Sequence, residues 1–510
     1  MQNHKIAEAL ENVKAIADKK GANIIQSAEV TRKDRTLLVR TKWLQEITKG
    51  WYLLTRPDLA LGDSAAWHAN FWDFLRIYCN KRYKNNYCLS AEISLSLQIG
   101  TTLIPKQVII IVPTGGTVLH LPFKTSILTY ADSKNIPKEK IEFQGLQVMP
   151  LAYALCKITP TFFRRDSADI EIALRTIRSS ADLSRLIIKH HFLRAAERII
   201  GAYQFFDMLD QAKAIQDDLE TAGEKIIPVN PFSEESPKYF IGRVSSPYAA
   251  RIKVMWNKYR NIIVDKFQAE PGLPKNTKSY LDKVNEMYSY DAYNSLSIEG
   301  YHVTKELIEK VRRNNWNPEL NSTDATEKNA LAARGYFECF QAVKDTLTKI
   351  LKKKNPGKCV AEDLSTWYQQ LFAPCVRANI ISVADLIGYR NDRVYIRNSR
   401  HAPPPKEAVL DSMEAFFECL QEEPNAAVRA ILGHYIFVYI HPYMDGNGRI
   451  ARFIMNAMFA SGGYPWTVVE LERRKEYIHG LEHAHTEMDI NLFVKFILEE
   501  MKRSKKLWGK

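Results

Sequence analysis

Apolar residues recur at helical spacing from the start of the chain. Ile6, Leu10, Val13 and Ile16 fall on one face, which predicts an amphipathic helix over residues 5–19. A second run, 32–47, sets Leu37, Leu38, Trp43, Leu44 and Ile47 among Arg32, Lys33, Arg35, Arg40 and Lys42. Lys49-Gly50 then leads into Trp51–Leu54, which predicts a turn and a short strand. Helix, helix, basic helix and β-wing is the element order of a winged helix-turn-helix, expected over 1–60. From 61 to 225 a helical pattern gives way to the strand-like runs VIIIV at 108–112 and VLHLPF at 118–123, with a Pro-Thr-Gly-Gly turn between them. The helical period returns from Ala168 to Leu219, so this stretch is expected to form an α/β domain. Pro228, Pro231 and Pro237 stand close together among polar residues and predict a linker over 226–240. Residues 241–510 have a helical period almost throughout. The exception is Arg393-Val394-Tyr395-Ile396-Arg397, which alternates and precedes Pro403-Pro404-Pro405, and so predicts a short hairpin. The expected fold class is therefore multidomain: a mainly α-helical C-terminal domain with a short β-hairpin, preceded by a winged helix and an α/β domain.

Composition changes this picture little. The chain has 510 residues, 46% hydrophobic and 25% charged, an ordinary balance for domains with sizeable cores. No apolar run is long enough to span a bilayer, and Met1–Ala7 is polar, without a signal-peptide apolar region. A cytoplasmic protein without a membrane partner is the expectation. The seven cysteines are odd in number and include no CxxC pair, which argues against a disulfide framework or a structural zinc site. The formal net charge of +13 is spread along the chain and singles out no one partner.

The chemistry concentrates in 426–462, where AAVRAILGHYIFVYI is followed by HPYMDGNGRIAR and FIMNAMFA. An apolar helix enters, a glycine-containing loop turns, and a second helix leaves. Gly446 and Gly448 permit unusual backbone angles. The backbone N–H groups there and at the next helix start can face one anion, with the helix dipole favouring negative charge. Arg449 and Arg452, three apart, project from one side of the first helical turn and carry the planar fork that suits phosphate. Asp445 puts a carboxylate beside that anion site, where Mg²⁺ can bridge it to phosphates. His441 is the nearby side chain that titrates near neutral pH.

HPYMDGNGRIAR resembles the Fic motif, His-Pro-Phe-x-Asp/Glu-Gly-Asn-Gly-Arg-x-x-Arg, with Tyr443 in place of the usual Phe. The resemblance extends over about 240–510 and implies a Fic fold and a protein adenylyltransferase that uses Mg²⁺ and ATP. It implies His441 as general base, Asp445 as the Mg²⁺ holder, Gly446, Asn447 and Gly448 as the cradle of the α- and β-phosphates, and Arg449 and Arg452 on the outer phosphates. AMP would pass to a hydroxyl of a protein substrate, on Ser, Thr or Tyr. The hairpin near 394–401 looks like the Fic flap, with Ile396, Arg397, Asn398 and Ser399 expected to contact nucleotide or target. Tyr477 resembles a residue bordering the adenine pocket, and His485 stands where relatives often have Asn. Ser295-Leu296-Ser297-Ile298-Glu299-Gly300 resembles the Fic inhibitory helix, expected around 292–303. Ser295, Glu299 and Gly300 carry that match, which implies autoinhibition through a Glu299–Arg452 pair. Some relatives use the inhibitory Glu to remove AMP, so the reverse reaction is also implied. UTP in place of ATP, and self-association, are left open by the motif.

Residues 1–225 resemble the antitoxins of abortive-infection type E systems, through TRKDRTLLVRTKWLQEITKGWYLL and AEISLSLQIGTTLIPKQVIIIV. That resemblance implies DNA binding through Arg32, Lys33, Arg35, Arg40 and Lys42. The other function class is thus a DNA-binding regulator or antitoxin-type protein whose Fic module is a nucleotide sensor or a silenced toxin.

Overall fold

In the computed structural model, residues 2–55, 64–233, 236, 238–239, 246–267, 269–313, 328–396 and 399–508 are described. Two units emerge: Met1–Pro247 with Val394–Ala402, and Tyr248–Arg393 with Pro403–Lys510. A short piece of the second half of the sequence therefore belongs to the N-terminal unit.

The N-terminal unit begins with α1 (Gln2–Lys20), β1 (Ile24–Gln26), α2 (Arg32–Arg40), β2 (Leu44–Thr48) and β3 (Trp51–Leu54). The strands form an antiparallel sheet in the order β1-β3-β2. Thr31 starts α2 by accepting the Asp34 N–H at 3.1 Å. The helix stops at Thr41, so 32–47 is not one element: Leu44 and Ile47 are buried in a strand whose register shifts between Glu46 and Thr48, so that residues three apart share the buried side. Lys42 lies beyond α2 with φ 62°, in the turn rather than on the helix. After α3 (Ala65–Tyr83), β4 (Cys88–Leu89) and α4 (Ala91–Gln98) come β5 (Gln107–Val112), β6 (Thr117–His120), β7 (Ser126–Ala131), β8 (Ile141–Phe143) and β9 (Leu146–Val148). The four-stranded sheet runs β4-β5-β7-β6, with β5 and β7 parallel and both outer pairs antiparallel. Val108, Ile110, Val112 and Ile127 share a core with Trp67, Phe71, Phe74 and Leu75 of α3. Six helices close the stretch: α5 (Leu151–Lys157), α6 (Pro160–Arg165), α7 (Ser167–Thr176), α8 (Ser180–His190), α9 (Leu193–Phe205) and α10 (Leu209–Thr221).

Over its described part, the stretch expected as a linker forms no helix or strand and leaves Ile227 and Val229 exposed, although the Val229 N–H donates to Glu197 O at 2.9 Å and the Phe232 ring lies 4.7 Å from that of Phe205. One expectation is corrected here. The alternating run at 393–397 forms no hairpin among the described residues. Instead His401 forms an antiparallel bridge with Leu103. Ile104 N–H donates to Arg400 O at 3.0 Å, and Ala402 N–H to Thr102 O at 2.9 Å. His68 Nδ1 meets Ser399 O at 2.8 Å. The described part of the alternating run, 393–396, is assigned no strand, and the residues that pair are the ones that follow it, 400–402, with partners about 300 residues away in the sequence.

The second unit is helical: α11 (Pro247–Lys266, almost wholly in this unit), α12 (Thr277–Ile298), α13 (Lys305–Arg312), α14 (Lys328–Leu351), α15 (Pro356–Arg377), α16 (Val409–Glu422), α17 (Ala426–Ile440), α18 (Asn447–Ser461), α19 (Arg474–Thr486) and α20 (Asn491–Trp508). Every residue of α17 is buried, as its nearly unbroken apolar sequence requires. Its neighbour α18 is buried from Arg449 to Ala460. The loop between these two helices is thus anchored in the core at both ends, with Met444 and Asp445 exposed at its tip. Among the described residues no helix is long and apolar enough to cross a membrane. All seven cysteines are free thiols.

Candidate active site

The loop 441–446 takes its shape from both ends. His441 caps α17 in the left-handed region, at φ 52° and ψ 59°, its N–H bonded to Phe437 O, and Pro442 then prevents the helix from continuing. Gly446 caps α18 at φ 81°, and a Cβ there would lie 2.9 Å from Leu371 Cδ2. Between them, Tyr443 is buried and stacks on Tyr368 with centroids 3.7 Å apart. The Asn447 side chain accepts the Tyr443 N–H at 3.0 Å and donates to Tyr443 O at 2.8 Å. Its amide is therefore a staple of the loop.

His441 Nδ1 lies 3.1 Å from Val438 O. A carbonyl can only accept, so Nδ1 carries the proton and Nε2 keeps its lone pair. Burial pushes the imidazole down to about 4, reinforced by Arg390 and opposed by the Val438 hydrogen bond, Glu299 and Asp445. It is a neutral base at neutral pH.

Arg452 is buried and fully engaged. Nε donates to Ser295 Oγ at 2.9 Å, and Nη2 donates to Ser295 O at 3.1 Å and to Glu299 Oε1 at 2.7 Å. Nη1 lies 3.5 Å from the Tyr477 hydroxyl, which in turn meets His434 Nε2 at 2.8 Å. Helix α12 ends at Ile298, so Glu299 is its C-cap and Gly300 turns away at φ 86°. A Cβ at Gly448 would fall 2.3 Å from Glu299 Oε1, so the missing side chain is what lets the carboxylate approach the start of α18. Below this pair, buried Asp291 accepts from the Tyr336 hydroxyl at 2.7 Å, and desolvation raises it to about 6.

Arg449 departs from expectation. Its guanidinium lies 5.2 Å from the ring centroids of both Tyr301 and Phe372, and Nη2 donates to Asp445 Oδ2 at 3.2 Å. The two arginines thus have different neighbours: Arg452 meets the end of α12, whereas Arg449 is held between aromatic faces. Asp445 is 65% exposed and also accepts the Gly446 N–H at 2.6 Å. Among the described residues no group of three or more His, Cys, Asp or Glu could hold a metal. A lone accessible carboxylate fits Mg²⁺, which keeps several waters and takes further oxygens from phosphates. A cavity of about 700 Å³ opens beside Asp445 and Arg449, lined also by Tyr301, Tyr368, Phe372 and Tyr389.

Of the other expected residues, Tyr477 is in the Arg452 network and His485 is buried against Tyr435. Ile396 is half-buried. Ser399 is 3% exposed and is bonded within the N-terminal unit, so it is not presented to a ligand. Arg397 and Asn398 lie outside the described residues. Arg32, Lys33, Arg40 and Lys42 are exposed, whereas Arg35 is half-buried and donates to Ser27 O at 3.2 Å. Sequence reasoning missed Tyr301, Phe372, Asp291, His434 and Arg390. Tyr301 directly follows Glu299-Gly300 and Asp291 lies one helical turn before Ser295, so both were within reach of helical spacing. The others carry no local pattern.

Residues 360–459 match the model of the Fic/DOC family. This span includes the whole 441–452 loop. The protein adenylyltransferase Fic of Drosophila willistoni is 36% identical over 115 residues, which is 22% of this chain and 22% of that protein. The protein of the same name from Nematostella vectensis is 36% identical over 113 residues, 21% of this chain and 26% of that one. The chain therefore spans only about a quarter of the length of these relatives. Among solved structures, the 134–508 fragment of Fic-1 from C. elegans covers 68% of this chain and 92% of its own, at 16% identity and a TM-score of 0.38.

Proposed function

We propose that the second unit transfers AMP from ATP to a hydroxyl of a protein substrate, and that its resting form is braked by Glu299. The observation that carries this reading is the buried Arg452, paired at 2.7 Å with Glu299 on the same loop-and-helix element that presents His441. On this reading Arg452 would hold an outer phosphate, and its pairing with the Glu299 carboxylate would compete with that phosphate.

His441 Nε2 would accept the proton of the attacking hydroxyl, with Nδ1–H held by Val438 O throughout. The hydroxyl oxygen bonds to the α-phosphorus, the bond to the bridging oxygen breaks, and pyrophosphate leaves. AMP remains on the acceptor side chain. The backbone N–H groups at the start of α18 and the guanidinium of Arg452 would face the phosphates. Asp445 would hold Mg²⁺, which supplies charge neutralisation on the phosphates when bound. Glu299 must leave Arg452 for the productive pose, and that requirement is the brake.

The test is mass spectrometry of lysate proteins after incubation with the Glu299→Gly chain and ATP. Proteins gaining one AMP identify both the chemistry and the target. Binding of ATP without any modified protein supports the nucleotide-sensor reading instead. A second reading attaches to the N-terminal unit, where exposed Arg32, Lys33 and Arg40 on α2, with Lys42 just beyond, fit contact with DNA phosphates.

A further inference from the structure

Arg390 is nearly fully buried, yet none of its guanidinium hydrogen bonds goes to a carboxylate. Nε donates to His441 O at 2.8 Å, Nη1 to Asp392 O at 3.0 Å, and Nη2 to Pro404 O. Its backbone N–H donates to Pro442 O at 2.8 Å. Burial lowers the guanidinium to about 10, partly offset by Glu407 and Asp392, so it is charged at neutral pH.

These carbonyls belong to three places that matter. His441 O and Pro442 O form the bend at the end of α17. His441 holds a left-handed backbone there, which costs a non-glycine residue about 1 kcal/mol and persists only where its surroundings enforce it. Asp392 and Pro404 stand just outside the two ends of segment 394–402, the piece that belongs to the N-terminal unit. One rigid fork thus bonds to the bend carrying the imidazole and to both stems of that segment. A lysine has one freely rotating ammonium and cannot reproduce three fixed directions.

We infer that Arg390 is a positioning residue for His441, fixing the left-handed bend that aims Nε2 and linking that bend to both stems of segment 394–402. The inference rests on the proposed AMP transfer for its catalytic meaning, but the clasp itself does not. The charged groups that act on the imidazole are Arg390, Glu299 and Asp445, with Val438 O as its hydrogen-bond acceptor. Arg390 is the cation in that set, so losing it raises the affinity of His441 for a proton.

The experiment uses the full chain carrying Glu299→Gly, with Arg390→Lys or Arg390→Gln added. Arg429→Lys serves as the structural control, because Arg429 is buried in the same unit and donates to Glu423 O and Ser461 Oγ, away from the loop. Carbethoxylation of His441 by diethylpyrocarbonate, followed by peptide mass spectrometry across pH, reads the imidazole without turnover. Hydrogen exchange of a peptide spanning 399–404 reads the stem. AMP transfer from labelled MgATP gives kcat and KM. Arg390→Lys is expected to lower kcat about tenfold to a hundredfold while KM for MgATP stays within about twofold, because a misaimed base loses orientation rather than substrate binding. Arg390→Gln is expected to shift the carbethoxylation midpoint upward and to speed exchange at 399–404, and Arg390→Lys to leave the midpoint near the parent's. Arg429→Lys is expected to lower thermal stability without the drop in kcat. An unchanged kcat in folded Arg390→Lys, or equal losses in the Lys variants at 390 and 429, overturns the inference. A parent that transfers no AMP overturns the proposed function, and the carbethoxylation and exchange arms still decide whether Arg390 holds His441.

Discussion

Replacing Glu299 with glycine removes one of the contacts of Arg452 and leaves the rest. Ser295 Oγ and Ser295 O still receive Nε and Nη2, so the guanidinium stays oriented while its carboxylate partner is gone. A hydrogen bond to a charged group contributes about 1.5–3 kcal/mol. The Glu299 side chain is 32% exposed, so solvent screening puts the value at the low end, about 1.5–2 kcal/mol. If ATP must displace this carboxylate to react, its removal should speed AMP transfer about ten- to thirtyfold. The assay is the initial rate of protein labelling from α-labelled ATP, with circular dichroism to verify folding and calorimetry to verify MgATP binding. Glu299→Gln keeps an acceptor for Arg452 without the charge and should fall between parent and glycine variant. A Glu299→Gly chain that folds and binds MgATP but labels no faster than the parent would refute the brake, whatever the fate of the transferase reading.

Adding His441→Ala to Glu299→Gly should abolish labelling while MgATP affinity, read by calorimetry, stays within about twofold, since the imidazole acts on the acceptor proton. Chelating Mg²⁺ should stop transfer by the Glu299→Gly chain, and Asp445→Ala should raise the Mg²⁺ concentration needed for half-maximal rate. His434 is fully buried and desolvation lowers it to about 3, against 6.5 when free. The unfolded chain takes that proton first, so stability is complete above pH 6.5 and falls as pH falls toward 3. The loss is about 2 kcal/mol by pH 5, and urea titrations at pH 7 and pH 5 should show His434→Gln flattening this dependence. If α2 meets DNA, replacing Arg32, Lys33 and Arg40 together by Ala should weaken binding to duplex DNA and flatten its salt dependence in a gel-shift series, with AMP transfer unchanged.

The candidate loop stood out in the sequence because its residues are close together. Base, carboxylate, glycines and arginines stand within twelve residues, and flanking apolar runs announced the helices that hold them. The Glu299 partner was legible for a different reason: a six-residue pattern at the end of a helical run points its first and fifth positions to one side, and Ser295 and Glu299 do meet the same guanidinium. What sequence spacing could not supply was the different surroundings of the two arginines. Arg449 and Arg452 look equivalent at i and i+3, but Tyr301 and Phe372, 148 and 77 residues upstream, hold the first between their rings. In the N-terminal unit, the basic run misled because Leu44 and Ile47 fit a helix continued from Arg40 as well as they fit the strand they form. The turn at Lys42, with positive φ on a residue that seldom adopts it, left no signal to break the tie.

The segment 394–402 shows where periodicity reaches its limit. Alternation and the proline residues beyond it made a self-paired hairpin the economical reading, but residues 393–396 form no strand. Backbone N–H and C=O groups must find partners, but nothing in alternation says where. Here they find Thr102 and Ile104, while Ser399 turns its carbonyl to buried His68. Groups at 400–402 that are bonded to Thr102 and Ile104 cannot at the same time be offered to an incoming peptide. The segment's stems, however, begin at Arg390 and return at Pro404, both bonded through one guanidinium to each other and to the bend at His441. For segment 394–402, loosening the His68 contact by His68→Ala should be felt as faster amide exchange at His401 and Ala402, while exchange in β5 and β7 stays as in the parent.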